Sequence, residues 1–94
     1  MFARVSTYRP GADNTGKPSE ITVEQVMNLQ GCRGIYYLLG SDDTSLSITL
    51  WDNEEDISTS RAPADKIRAE TSAEQHLEVV EVKEFEVLTR QLKD

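Results

Sequence analysis

With 94 residues, 37% of them apolar and 29% charged, and a net charge of −7, the chain has room for one domain (1–94) with a modest core. The acidic balance counts against nucleic acid and anionic membrane surfaces as partners, because both require a basic face. No apolar run is long enough for a membrane-spanning helix. Cys32 has no second cysteine for an internal disulfide, and Met1-Phe2-Ala3-Arg4 opens into a strand pattern without a signal-peptide apolar region; together these point to the cytoplasm.

Phe2 to Tyr8 is the first β-rich run. Arg9 to Ser19 carries Pro10-Gly11, Asp13-Asn14, Gly16 and Pro18, and reads as a loop. A helix follows, with Thr22 as N-cap, Gln25 completing a capping box, and Ile21 and Val26 spaced as a hydrophobic staple. Val23, Val26, Met27 and Leu29 supply its apolar stripe, and Gly31 stands where it would stop. Gly34 to Leu39 is the second strand, with apolar or aromatic residues on both faces. The turn Gly40–Thr44 joins it to the third strand, which makes an antiparallel hairpin.

In that third strand Leu46, Ile48 and Leu50 fall on one face and Ser47, Thr49 and Trp51 on the other. Asp52 is placed to cap the next helix, with Glu55 as capping-box partner. Helical patterning runs from Asn53 to about Ser72, with Ile57 and Ile67 turned inward and Pro63 expected to split it in two. The last strand spans roughly His76 to Thr89. Leu77 and Val79 share a parity with Phe85 and Val87, whereas Val80 and Val82 have the other. Either this strand is apolar on both faces near its middle or it contains a bulge.

The order β-α-β-β-α-β predicts an α+β, ferredoxin-like fold with a four-stranded antiparallel sheet. Two helical regions cover only one face of such a sheet, yet the second and fourth strands are apolar on both. The other face therefore calls for a partner, and a second copy of the same sheet supplies one, giving a two-fold homodimer through the sheet face. The alternative is a monomer with the 9–19 loop folded over that face.

Few motifs carry chemistry. There is no Gly-rich phosphate loop, no Cys/His zinc pattern and no serine elbow. The acidic group Asp52, Glu54, Glu55 and Asp56 fits a helix start better than a metal site, so no metal is expected. Trp51, at a strand-to-helix junction, offers an aromatic face and an indole N–H to a flat ligand, or packs between the two elements. Tyr36 and Tyr37 are further ligand-contact candidates, of which at most one lines a given cavity because they point to opposite faces. His76 is the side chain titrating nearest neutrality, a candidate base that also reads as a surface residue. Cys32, beside Arg33, lacks an identifiable base.

The chain resembles the dimeric α+β barrel superfamily, and within it the small proteins of antibiotic-biosynthesis-monooxygenase type. The resemblance is carried by Phe2–Tyr8, by Leu29-Gln30-Gly31-Cys32-Arg33-Gly34-Ile35-Tyr36, and by the strand Leu46–Trp51 running into Asp52-Asn53-Glu54-Glu55. It implies a homodimer with a cavity between sheet and helices. Haem-degrading relatives combine a first-strand asparagine, this tryptophan and a histidine on the next helix. This chain has Ser6 and Thr7 on the first strand and no histidine on that helix, so neither haem nor another cofactor is expected. Cofactor-free oxygenase relatives often place an asparagine four residues before the tryptophan, where this chain has Ser47. Ser47 and His76 are thus the candidate catalytic residues. Two functions follow: a ligand-binding or interaction module, or a cofactor-independent monooxygenase acting on a small electron-rich aromatic.

Overall fold

The computed structural model describes residues 1–10 and 19–93, with only the backbone of Pro10 included. The elements are β1 (Phe2–Pro10), α1 (Glu20–Met27), β2 (Cys32–Leu39), β3 (Ser45–Trp51), α2 (Glu54–Thr59), α3 (Arg61–Gln75) and β4 (Leu77–Glu86). The four strands form one antiparallel sheet in the order β2-β3-β1-β4, with the helices on one face. This is the expected ferredoxin-like α+β arrangement. The expected loop at 9–19 lies largely outside the described residues, and so does its proposed packing over the sheet.

The sheet register decides which side chains meet. Arg4 lies opposite Thr49 and Ser6 opposite Ser47. Residues paired across antiparallel strands share a face, so these four, with Trp51 and Tyr8, look toward the helices. Val5, Ile48 and Tyr36 line up across the opposite face. On β4 the register shifts by one residue between Thr7 and Tyr8, whose partners are Glu81 and Val79, so Val80 is extra. That bulge resolves the mixed parity of the last strand: Leu77 and Val79 join Val82 on the helix side, and Phe85 faces outward.

Several ends differ from the expected ones. Ser19, not Thr22, caps α1, with its side chain accepting from the Thr22 amide at 3.3 Å. Thr22 is buried instead, its hydroxyl 3.3 Å from that of Thr71 on α3. Ile21 is exposed, so the staple does not form. Asn53, not Asp52, caps α2 by accepting from the Asp56 amide at 2.8 Å. Asp52 pairs with Arg33 across the β2–β3 end. In each case two capping-competent residues stood within reach, and the residue whose side chain was drawn into a tertiary contact was not the cap.

The helical region divides at Ser60, three residues before Pro63. Pro63 sits in the first turn of α3, where its missing N–H is not needed. Gly31 is not the stop of α1, which ends at Met27. It takes φ of +80°, and a Cβ there would run into the Asp56 side chain, so this position requires glycine for both backbone and space. The last strand ends at Glu86 rather than Thr89 and begins at Leu77, leaving His76 as the left-handed C-cap of α3.

The core is small. Trp51 and Ile57 are the fully buried large side chains, with Val26, Tyr8, Ala3 and Ala64 around them. Among the described residues no helix is long and apolar enough to cross a membrane.

Candidate functional site

Trp51 is completely buried at the sheet-to-helix junction, and its Nε1 donates to Thr49 Oγ1 at 2.9 Å. Beside it is a cavity of about 40 Å³ between the sheet, α1 and α3. Polar side chains from the sheet form its floor, while the helices contribute apolar Val26, Ala64 and Ile67 together with polar Thr22, Arg68 and Thr71. The polar floor follows directly from the register, which sets Arg4, Ser6, Ser47 and Thr49 side by side.

Arg4 governs this site and carried no signal in the sequence reading. It is only 3% exposed. Its Nε and Nη2 both reach Glu84 Oε2, at 3.2 and 2.9 Å. Nη2 also donates to the Ile57 carbonyl at 2.8 Å and to Ser60 Oγ at 3.1 Å. The guanidinium carbon lies 5.3 Å from the centre of the Trp51 ring, a cation–π contact. The remaining nitrogen, Nη1, is buried without a hydrogen-bond partner among the described residues. A buried arginine is unusual, and the partner that makes it tolerable stands 80 positions away, beyond any local motif.

Glu84 is shared. It pairs with Arg61 of α3 as well as with Arg4. Hydrogen bonds from Arg61 hold its carboxyl below the ordinary value of 4.5; partial burial opposes this and the bonds from Arg4 reinforce it. A second arginine, Arg68, donates from Nε to Ser6 Oγ at 3.1 Å and pairs with Asp65. Tyr8 and Ser47 share a hydroxyl–hydroxyl hydrogen bond of 2.8 Å.

The structure brings together Trp51, Tyr37 and Ser47 of the predicted site residues, all of which line the cavity. Tyr36 lies on the opposite sheet face, 48% exposed. His76 is exposed at the end of α3 and is not part of the cavity lining. Burial, with a contribution from Tyr8 and against Arg68, pushes the Tyr37 phenol up to about 12. Burial also raises the Cys32 thiol, which disfavours a reactive thiolate. No aspartate, glutamate or histidine lines the cavity among the described residues, and those residues contain no cluster of metal-ligating side chains.

No protein-family model matches the chain, and no curated protein does. Among solved structures, a candidate antibiotic biosynthesis monooxygenase from Deinococcus radiodurans, a crystal structure at 1.40 Å resolution, superposes with a TM-score of 0.70 and 13% sequence identity. The match covers 100% of this chain and 99% of that one. The fold is shared. At this identity the likeness speaks to architecture, in agreement with the resemblance read from the strand motifs.

A pH prediction follows from Glu84. Its carboxyl is more acidic folded than unfolded, so the stability it contributes is fully present above 4.5 and is lost as pH falls through the folded value. Glu84→Gln should cost about 2 kcal/mol at neutral pH by weakening charge-assisted hydrogen bonds. It should also flatten the acid limb of a stability–pH curve measured by urea unfolding; a limb identical to wild type would remove Glu84 from this role.

Proposed function

We propose that this chain is a small-molecule-binding module that pairs with a second copy through its open sheet face. The observation that carries the binding reading is the polar cavity against Trp51, floored by Arg4, Ser6, Ser47 and Thr49. It is a donor-rich pocket in an otherwise acidic protein, and it has Tyr37 at its side. Convergent polar groups in a partly apolar enclosure are the usual makings of a ligand site.

A monooxygenase reading is favoured by the shared fold with the Deinococcus radiodurans protein. Acting on a phenol would require a proton acceptor near neutrality. The titratable residues lining the cavity are arginines and tyrosines, and the Tyr37 phenol, pushed up to about 12, is too weak an acid to be present as phenolate. A cavity of about 40 Å³ is also far below the roughly 150 Å³ that admits a benzene ring. Binding of a small group is therefore the better-supported function, and oxidation of an aromatic requires a larger cavity than this one.

Pairing is supported by the outward face. Tyr36 is 48% exposed and Phe85 49%, with Leu38 also exposed and Ile48 half-buried between them. An apolar patch of this kind usually marks an interface, and the superfamily resemblance implies the same sheet-to-sheet pairing. A cytoplasmic location accords with the free cysteine.

Trp51 is its own reporter. Its emission should change saturably with some members of a panel of short carboxylates, hydroxylated aromatics and quinones, and Ser47→Leu, which fills the cavity, should abolish the change while preserving the circular dichroism spectrum. A wild-type emission unmoved by every compound would remove the binding reading, whereas oxygen uptake with one of the aromatics would establish the enzyme. In sedimentation, the wild-type chain should run as a dimer and Ile48→Asp as a monomer. A wild-type monomer at all concentrations would end the pairing proposal.

A further inference from the structure

We propose that α1 is the gate of the Trp51 cavity, a wall that swings away from the sheet about the turn at residues 28–31 and admits the ligand. The inference rests on the ligand-binding reading for its purpose, and its test needs no ligand.

The walls of the cavity are fastened unequally. Arg4 joins the sheet to the α2–α3 junction through the interior, donating from Nη2 to the Ile57 carbonyl and to Ser60 Oγ. Arg61 reaches from α3 to Glu84 of β4, and Arg68 reaches from α3 to Ser6 Oγ of β1 at 3.1 Å. Between α1 and the other elements, the side-chain hydrogen bond among the described residues is the Thr22–Thr71 hydroxyl contact, at 3.3 Å. Glu20 and Glu24, the charged side chains of α1, form no ion pair among the described residues.

The helix has little else to hold it down. It is eight residues long, and isolated helices shorter than ~12 residues are marginal without packing. Its buried residues are Thr22 and Val26, so one apolar side chain is fully covered. Ile21 is 67% exposed and Met27 41%; the closed position gives neither a place in the core. An element with so few buried contacts belongs to the low-stability end of a fold, from which moving walls of binding sites are drawn. Thr22 and Val26 are also the residues by which α1 lines the cavity. Lifting them breaks the weak attachment and uncovers the cavity in one step.

The other end of α1 is pinned. The Cys32 amide donates to the Leu29 carbonyl at 3.1 Å and the Asp52 amide to the Gly31 carbonyl at 3.0 Å. Gly31, at φ of +80°, has the Asp56 side chain packed where a Cβ would stand, which fixes the turn against α2. Movement is therefore left to the Thr22 end. Trp51 is fully buried and the closed cavity measures about 40 Å³, so a ligand that reaches the indole enters by displacing a wall.

Native-state hydrogen exchange of the whole chain, resolved by NMR and repeated at low urea concentrations, reads the opening. The amides of residues 23–28 should exchange about a hundredfold faster than those of residues 68–75 on α3, at rates that urea barely changes, as a local opening requires. A lock tests the cavity itself. In a Cys32→Ser background, Thr22→Cys with Thr71→Cys puts two thiols where hydroxyls stand 3.3 Å apart, within reach of a disulfide. Oxidation should raise α1 protection to that of α3 and reduce acrylamide quenching of Trp51, with the reduced variant behaving as wild type. If the lock does not fold, wild-type exchange carries the test alone. Wild-type α1 amides that exchange only on global unfolding, with the rate and urea dependence of α3, would overturn the gate, as would quenching equal in the oxidised and reduced forms. The ligand-binding reading would then still stand or fall on the wild-type emission titration. If α1 opens and no compound moves Trp51 emission, that reading falls and the opening stands.

Discussion

One buried positive charge organises this protein. Burying a guanidinium costs several kcal/mol unless its hydrogens are met, and Arg4 meets that cost with contacts to nearly every layer of the fold. Glu84 draws in β4, Trp51 draws in the end of β3, and the Ile57 carbonyl and Ser60 hydroxyl draw in the α2–α3 junction. The junction shows the dependence most clearly. Pro63 forbids a continuous helix but does not say where the interruption falls. It falls at Ser60, where the Ile57 carbonyl accepts from both Ser60 Oγ and Arg4 Nη2. The last carbonyls of a helix lack internal partners and favour a cation, so the break lies where Arg4 can satisfy one.

The same residue links the fold to the site. Two of its nitrogens hold the architecture together and the third is left over. Had Glu84 faced Arg4 alone, the pair would have been closer to neutral. Sharing that carboxylate with Arg61 ties α3 to β4, and the surplus positive charge falls to the exposed Arg61. Around the cavity Thr49 accepts from Trp51 Nε1, Ser6 accepts from Arg68 Nε, and the Tyr8 and Ser47 hydroxyls share a hydrogen bond. The polar floor of the cavity thus arises from ordinary strand pairing. The opposite sheet face is apolar and partly exposed around Tyr36 and Phe85.

Much of this was legible along the chain because strand faces alternate. The period-2 pattern groups Ser47, Thr49 and Trp51 on one face, which the register shows to be the helix side, and sets Tyr36 and Tyr37 on opposite faces. The mixed parity of Leu77, Val79, Val80 and Val82 pointed to the bulge that β4 contains. Caps were misplaced by one to three residues because Ser19, Thr22, Asp52 and Asn53 are all competent, and tertiary partners made the choice. Arg4 was missed for a different reason. Charged residues are normally solvated, and nothing within the first strand reveals that its counter-charge is on the last. Thr71, Ser72 and Gln75 hid the inward stripe of α3 in the same way, as polar residues that are buried.

Central to the fold is an Arg4 side chain held in the interior with its Nε–Nη2 edge on Glu84 and its guanidinium against Trp51. A high-resolution crystal structure tests it most directly. The expected result is the guanidinium packed against Trp51, with Nε and Nη2 on Glu84 and Nη2 also on the Ile57 carbonyl. An Arg4 side chain turned out to solvent, with apolar side chains closed over the space beside Trp51, would contradict it.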